Sequence, residues 1–283
     1  MASFTNFATL SYNGGTTNSN IVTGEILEAL TAVKTAVSAN YSAGDRITYA
    51  LSLVNTGTTA VTDYTVTDNL GSYTVGANTV YPLAYNAGTV RYYINGVLQT
   101  APAVTAGPPL TVTGLTVPAG GNAVLIYETT ATNVAPLATG NSITNTATIT
   151  GGGLTNPITA QATVETANSA DLTISKALSP TTVTENGQIT YTFVISNTGN
   201  TEATAADNVI VTDTFDPILR NIAVTYNGTA WTEGTNYTYN ATTGVFATQA
   251  GQITVPAASF TQNADGTFTV TPGTATLVIT GTI

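Results

Sequence analysis

The chain has no cysteine and no histidine among its 283 residues. Without cysteine no disulfide can staple the fold, and the redox compartment cannot be read from thiol usage. Without histidine the commonest metal ligand and general base is missing, and Ser-His-Asp and Cys-His chemistry goes with it. Basic residues are scarce as well: five stand against fifteen acidic ones, for a net charge of −10. That balance excludes a nucleic-acid backbone or an anionic membrane surface as a partner. No apolar run is long enough to cross a bilayer, so no membrane insertion is expected. The opening "MASFTNFATL" lacks the basic start and apolar core of a secretory leader. The expected location is nonetheless extracellular, on a cell or spore surface, by an export route the sequence does not display. Helical periodicity is weak and no glycine-rich phosphate loop precedes a helix, so no nucleotide site is expected. The carboxylates of "AADNVIVTDTFD" (205–216) do not have EF-hand spacing. The expectation is a protein without cofactor, without metal and without turnover.

What the chain does have is threonine, valine, isoleucine, tyrosine and glycine, in short apolar runs broken by Gly, Pro, Asn and Asp turns. This pattern predicts an all-β protein built of sandwiches, and the length suits two domains. An internal repeat divides it. "LTAVKTAVSANYSAGDRITYALSLVNTGTTAVTDYTVTDNL" (30–70) matches "LTISKALSPTTVTENGQITYTFVISNTGNTEATAADNVIVTDTF" (172–215). Further on, "PAGGNAVLIYETTA" (118–131) matches "TPGTATLVITGTI" (271–283). The first module continues into another strand, "SITNTATIT" (142–150), whereas the second reaches Ile283 before any such strand. The second sandwich is therefore expected to be incomplete, with an open sheet edge able to pair with another chain.

A strand of the missing type stands at the opposite end of the chain. One face of the 142–150 strand carries Ile143, Asn145, Ala147 and Ile149, and the same face of the opening stretch carries Phe4, Asn6, Ala8 and Leu10. The following "GGLTN" (152–156) and "GGTTN" (14–18) match too. The expected organisation is a donor strand with the start of a linker (1–18), a complete domain (19–165) and an incomplete domain (166–283). Donation to a neighbouring copy, repeated, makes an open head-to-tail filament in which the partners are other copies of the chain. Anchor or tip proteins are not specified by the sequence. Two other readings compete: the first eighteen residues as a disordered tail, or the strand folding back into its own second module.

Two lysines occupy equivalent positions in the modules. Lys34 shares parity with Leu30, Ala32 and Ala36, and Lys176 with Leu172, Ile174 and Leu178. Asp68 shares parity with Tyr64, Val66 and Leu70, and Asp213 with Val209, Val211 and Phe215. Each module thus points a lysine, an aspartate and an asparagine inward. Isolated, each burial costs several kcal/mol. Together the groups can react. A desolvated lysine loses its charge readily and becomes a nucleophile, and a buried carboxyl can donate a proton to an amide. The amine attacks the asparagine carbonyl, ammonia leaves, and an isopeptide cross-link remains. The expected links are Lys34 to Asn145 within the chain and Lys176 to Asn6 of a neighbour, with Asp68 and Asp213 as proton shuttles. Against this stand simpler roles: lysines as edge-strand gatekeepers, aspartates as turn formers and Asn145 as a bulge cap. Glu128 is a rival acid, but Thr280 holds its place in the second module. Tyr92, Tyr93, Tyr237 and Tyr239 with Trp231 are candidates for sugar stacking, or else for the core.

The lysine strand, "YTFVISNTGN", "VTDTF" and "ITNTATI" together resemble a bacterial and archaeal surface repeat, the domain of unknown function eleven family, over most of residues 30–283. The resemblance implies tandem Ig-like sandwiches on a surface protein. The chain is also similar to Gram-positive pilin domains, in which Lys, Asn and an Asp or Glu form isopeptide bonds. That similarity implies the same chemistry at Lys34, Asp68 and Asn145, and at Lys176 and Asp213 with Asn6. No LPXTG-like sorting signal is visible, which favours self-assembly by strand exchange over sortase assembly. The expected function is a pilin-like structural subunit of an extracellular fibre; the alternative is a monomeric surface adhesin binding glycan or a host protein.

Overall fold

Residues with branched or aromatic side chains alternate with Thr, Ser and Asn along this chain, and that period matches a strand with one face in a core. The computed structural model, which describes residues 2–26 and 29–283, is all-β, with a single short 3-10 turn at Ala205–Asp207. No helix among the described residues is long and apolar enough to cross a membrane.

Module one packs two six-stranded sheets face to face. One sheet runs Val97–Leu98, Arg91–Ile94, Asn122–Ala131, Arg46–Asn55, Leu30–Ala36, with Leu83–Tyr85 also paired to Asn122–Ala131. The other runs Ala103–Thr105, Leu110–Val117, Val61–Asp68, Ser142–Gly151, Ile158–Thr166, Asn40–Tyr41, the last pair being parallel. Tyr49, Leu51, Leu53, Tyr64, Val66, Leu125, Tyr127 and Ile149 meet between them. Each such side chain contributes roughly 1.5–3 kcal/mol when fully buried. The strand Ser142–Gly151 shows the alternation plainly: Ile143, Asn145, Ala147 and Ile149 are buried. Thr144 faces outward and shares a 2.9 Å hydroxyl contact with Thr163 of the next strand. The two strands form a hairpin whose turn, Gly151–Gly153, has positive φ at all three positions, 79°, 62° and 78°. A Cβ on Gly152 would lie 2.6 Å from Val61, so the turn must be glycine to lie against the start of Val61–Asp68.

Module two repeats the first sheet as Leu172–Ser179, Gln188–Asn197, Gly273–Thr282, Arg220–Tyr226, Thr229–Trp231. Its opposing sheet has three strands, Thr212–Thr214, Val245–Thr248 and Tyr237–Tyr239. Phe215, Phe246, Ile253, Val255, Leu277 and Ile279 fill the space between. Among the described residues, Thr212–Thr214 pairs on one side only, with Val245–Thr248. Its equivalent in module one, Val61–Asp68, pairs on both sides.

The opening segment differs from the expected single strand followed by a linker. Ala2–Asn6 pairs antiparallel with Val22–Ile26, and Thr9–Tyr12 with Gly15–Asn18. The boundary expected at residue 18 is therefore displaced, because residues 19–26 belong to the opening hairpin and not to module one. The change of register between the two ladders places one extra residue in the return arm, at Ser19–Ile21 opposite Phe7 and Ala8. Phe4, Phe7, Leu10, Tyr12, Ile21 and Val22 are all exposed.

The modules are joined through Asn200. Its side-chain nitrogen donates to Leu137 O at 2.9 Å and Ala167 O at 2.8 Å, and its side-chain oxygen accepts from Ser169 N at 3.0 Å. The return strand Ile158–Thr166 is thereby held in fixed relation to the strand that opens module two. Replacing Asn200 with Ala removes three hydrogen bonds, together worth roughly 2–3 kcal/mol. Hydrogen exchange at the Ser169 amide and proteolysis within 167–171 should both accelerate in N200A, while the amides of both cores stay protected.

Candidate functional site

Strand Leu30–Ala36 turns Leu30, Ala32, Lys34 and Ala36 toward the core because side chains alternate along it. Strand Val61–Asp68 delivers Asp68 at its last residue, where it pairs with Leu110 on one side and Ala147 on the other. Asn145 precedes Ala147 by two positions and so lies on the same face, beside Asp68. All three side chains are buried: Lys34 has 0% and Asp68 1% of its side chain exposed, and Asn145 is 0% exposed.

The contacts are specific. Lys34 Nζ donates to Asp68 Oδ2 at 2.5 Å, and the Tyr127 hydroxyl donates to the same oxygen. Asp68 Oδ1 accepts from Leu70 N at 2.9 Å. Lys34 Nζ also lies 4.8 Å from the centre of the Tyr49 ring and 5.8 Å from that of Tyr127, and the two rings stack. Asn145 is the exception. Its amide nitrogen and oxygen are fully buried and make no hydrogen bond, and the Tyr49 hydroxyl is in the same position. The Asn145 amide nevertheless lies near enough to the Tyr49 and Tyr127 phenols to favour their ionised forms slightly. An unpaired buried polar group costs roughly 1–3 kcal/mol, so a carboxamide left this way calls for a reason.

Burial governs the electrostatics. It draws the Lys34 ammonium down to about 8, against an opposing pull from the Asp68 charge and hydrogen bond. It pushes the Tyr49 and Tyr127 phenols upward, and the negative charge of Asp68 adds to this, so both stay protonated. The pocket holds an amine whose proton is less tightly held than usual, a carboxylate in contact with it, and a carboxamide with no hydrogen-bond partner.

Module two has the same pair in a different setting. Lys176 Nζ lies 2.5 Å from Asp213 Oδ2, over the rings of Tyr191, Phe193 and Phe215 at 4.6, 5.4 and 5.6 Å. Ile279 occupies the place that Tyr127 has in module one, since each sits opposite the tyrosine of the shared "ITY" strand, Tyr191 and Tyr49. The expectation of an inward, shielded Lys176 needs correction: 41% of its side chain is exposed, and so is 16% of Asp213. The reason is geometric, because among the described residues no strand lies where Ser142–Gly151 and Ile158–Thr166 cover Lys34. Next to the pair an apolar groove of about 160 Å³ opens between Leu172, Ile174, Ile195, Val209 and Val211. Phe4, Asn6, Ala8 and Leu10 stand in solvent on the opening hairpin and join neither core, so the chain's own fold does not bring Asn6 to Lys176.

Other candidates fall elsewhere. Glu128 faces outward and forms a 3.6 Å ion pair with Arg46. Tyr92 and Tyr237 are buried, and Trp231 stacks on Tyr226 at 4.8 Å. Tyr127 was not singled out by sequence reasoning. Its parity with Ala123 and Leu125 marks it as a core residue, but its contact with Asp68 crosses the sandwich and depends on how the sheets stack.

Residues 176–276, about a third of the chain, match the family described as the BatD DUF11 like domain; the match spans Lys176 and Asp213. No curated protein matches the chain. Among solved structures the chain is similar to the major pilin subunit of Bacillus cereus, at 14% identity over 96% of this chain and 73% of that one, TM-score 0.36. It is likewise similar to a C-terminal fragment of the major pilin GBS80 of Streptococcus agalactiae, at 14% identity over 87% of each chain, TM-score 0.37. A third is the collagen-binding subdomain of the Enterococcus faecalis surface protein ACE, at 9% identity over 50% of this chain and 99% of that one, TM-score 0.32.

The low value of Lys34 has a consequence for stability in a chain where the asparagine is removed. In N145A the unfolded lysine titrates at roughly 10.4, above the folded value. Between the folded value of about 8 and that figure the unfolded state binds the extra proton. Unfolding free energy should therefore rise with pH across this window, by at most about 1.4 kcal/mol per unit, and stay level below the folded value, where both states carry the proton. Denaturant melts from pH 7 to 10 measure the slope.

Proposed function

We propose that the chain is the structural subunit of a self-assembling fibre in which the opening strand of one copy completes module two of the next. The observation that carries this reading is the correspondence between an open groove and a solvent-exposed strand of the pattern that fills the same groove in module one. There, Ala147 pairs with Asp68 and Ile149 with Val66. Applied to module two, the register sets Ala8 against Asp213 and Leu10 against Val211. Leu10, 63% exposed in the free chain, would enter the apolar space beside Ile174 and Val211, and Phe4, 53% exposed, would be covered further along the strand, beyond Asp213.

Those burials yield roughly 3–6 kcal/mol, and ladder hydrogen bonds add to them. Association itself costs roughly 4–15 kcal/mol, so strand docking alone gives a reversible joint. A covalent bond makes it permanent. In each module the lysine ammonium passes its proton to the paired aspartate, leaving a neutral amine and a carboxylic acid. The amine nitrogen attacks Cγ of the asparagine while the acid protonates the amide. The aspartate next relays a proton from the attacking nitrogen to Nδ2, the Cγ–Nδ2 bond breaks, and the departing ammonia carries off the remaining proton as ammonium, which leaves the aspartate a carboxylate as at the start. One new amide joins Lys34 to Asn145, which accounts for a buried carboxamide with no hydrogen bonds. The equivalent bond joins Lys176 to Asn6 of the neighbouring copy. Held in contact and away from water, the groups gain the effective concentration that an uncatalysed aminolysis lacks. The reaction occurs once per site and involves no turnover.

The purified chain should form filaments by electron microscopy and a ladder of multimers that withstands boiling in detergent. A chain lacking residues 1–12 should remain monomeric. Lys176→Ala should leave filaments that detergent dissolves, and a ladder surviving unchanged in that variant would exclude the Lys176–Asn6 bond.

A further inference from the structure

Module one closes with two strands, not one. The strand Ser142–Gly151 pairs with the aspartate strand, and its hairpin partner Ile158–Thr166 packs beside the lysine strand Leu30–Ala36. That second strand buries Ala160, Ala162 and Val164, and its end pairs in parallel with Asn40–Tyr41 through Glu165 and Thr166. Lys34 is sealed between the two arms.

The opening segment already holds both arms in the same relation. Asn6 lies directly opposite Val22, as Asn145 lies opposite Ala162. Phe4 lies opposite Gly24, where module one pairs Ile143 with Val164. Bulk has moved from one arm to the other: the Phe4 ring occupies the space that a side chain on Gly24 would need. The cross-strand pair thus keeps its combined filling while exchanging large for small. Module two leaves both receiving surfaces free. Among the described residues one edge of Thr212–Thr214, the strand that follows Val209 and Val211 of the groove, is unpaired, and Ile174 on the lysine strand is 54% exposed. Val183 follows Lys176 by seven positions, as Tyr41 follows Lys34, yet residues 181–184 form no strand there.

We infer that the unit donated to the next copy is the whole hairpin 2–26, and that its second arm caps Lys176 so that the covalent bond forms only once both arms are seated. This rests on the strand-donation reading above. With the first arm alone in place, one side of the lysine strand still meets water, and the ammonium is stabilised by both water and Asp213. Val22, beside Asn6, is the side chain placed to close that side. Residues 181–184 take up the end of the second arm as a short parallel pair, as Asn40–Tyr41 does in module one. The amine of Lys34 shows what full enclosure does, since burial brings it down to about 8. A partly seated or wrongly matched donor is thereby released before it is bonded.

The test uses the full chain in three forms: residues 19–26 replaced by a Gly/Ser segment of equal length, Val22→Asn, and Val22→Ile. Ladder formation is followed in time by denaturing electrophoresis, native assembly by sedimentation, and folding by circular dichroism melts. The linker variant and V22N should bond about tenfold more slowly or worse, with unchanged melts, while V22I, which keeps an apolar cap, should match the parent chain. Parent-like ladder rates in both the linker variant and V22N would overturn the inference and leave strand donation standing. A parent chain that neither forms a ladder nor sediments as an assembly would bring down the donation reading itself, a result distinct from the first.

Discussion

A lysine and an aspartate in contact inside an apolar sandwich constrain everything else about this protein. Removing two charges from water is costly, and their attraction repays the cost only when geometry is good and the remaining polar atoms are satisfied. In module one the aspartate is fully satisfied: it accepts from Lys34, Tyr127 and the Leu70 amide. The unsatisfied member is the Asn145 amide. Under the proposed reaction this cost is relieved by forming an amide, which would tie the sheets of a disulfide-free chain together.

Module two shows the same constraint met differently. Its lysine–aspartate pair has the same 2.5 Å contact but keeps access to water. An ion pair can persist there because the closing strands are absent from the described fold of that module. The two sites are one design in two states of hydration. The proposed fibre joint converts the second into the first, and the opening hairpin is the element that changes the dielectric environment. In this reading the assembly step and the chemical step depend on the same burial.

The repeat also sets how modules communicate. In module one the closing hairpin leads directly into the strand that opens module two, with Asn200 bridging Leu137, Ala167 and Ser169. A closing arm therefore determines where the following lysine strand begins. The opening hairpin leads into Leu30–Ala36 in the same order along the chain, which gives a proposed filament its polarity.

The two-residue alternation of strands was sufficient, in the amino-acid order alone, to place Lys34, Asp68 and Asn145 on apolar faces and to reveal that Phe4, Asn6, Ala8 and Leu10 carry the pattern of Ile143 to Ile149. Such parity is local and needs no knowledge of partners. Three things were settled only by tertiary structure. The return arm Val22–Ile26 is short and contains Gly24, so its own alternation is weak; it pairs because Phe4 lies across the glycine. Tyr127 reaches Asp68 only when two sheets stack at a fixed distance. Finally, Lys34 and Lys176 have equivalent neighbours in sequence but opposite exposure, because hydration depends on which strands cover a site, and coverage is a property of distant chain segments brought together by folding.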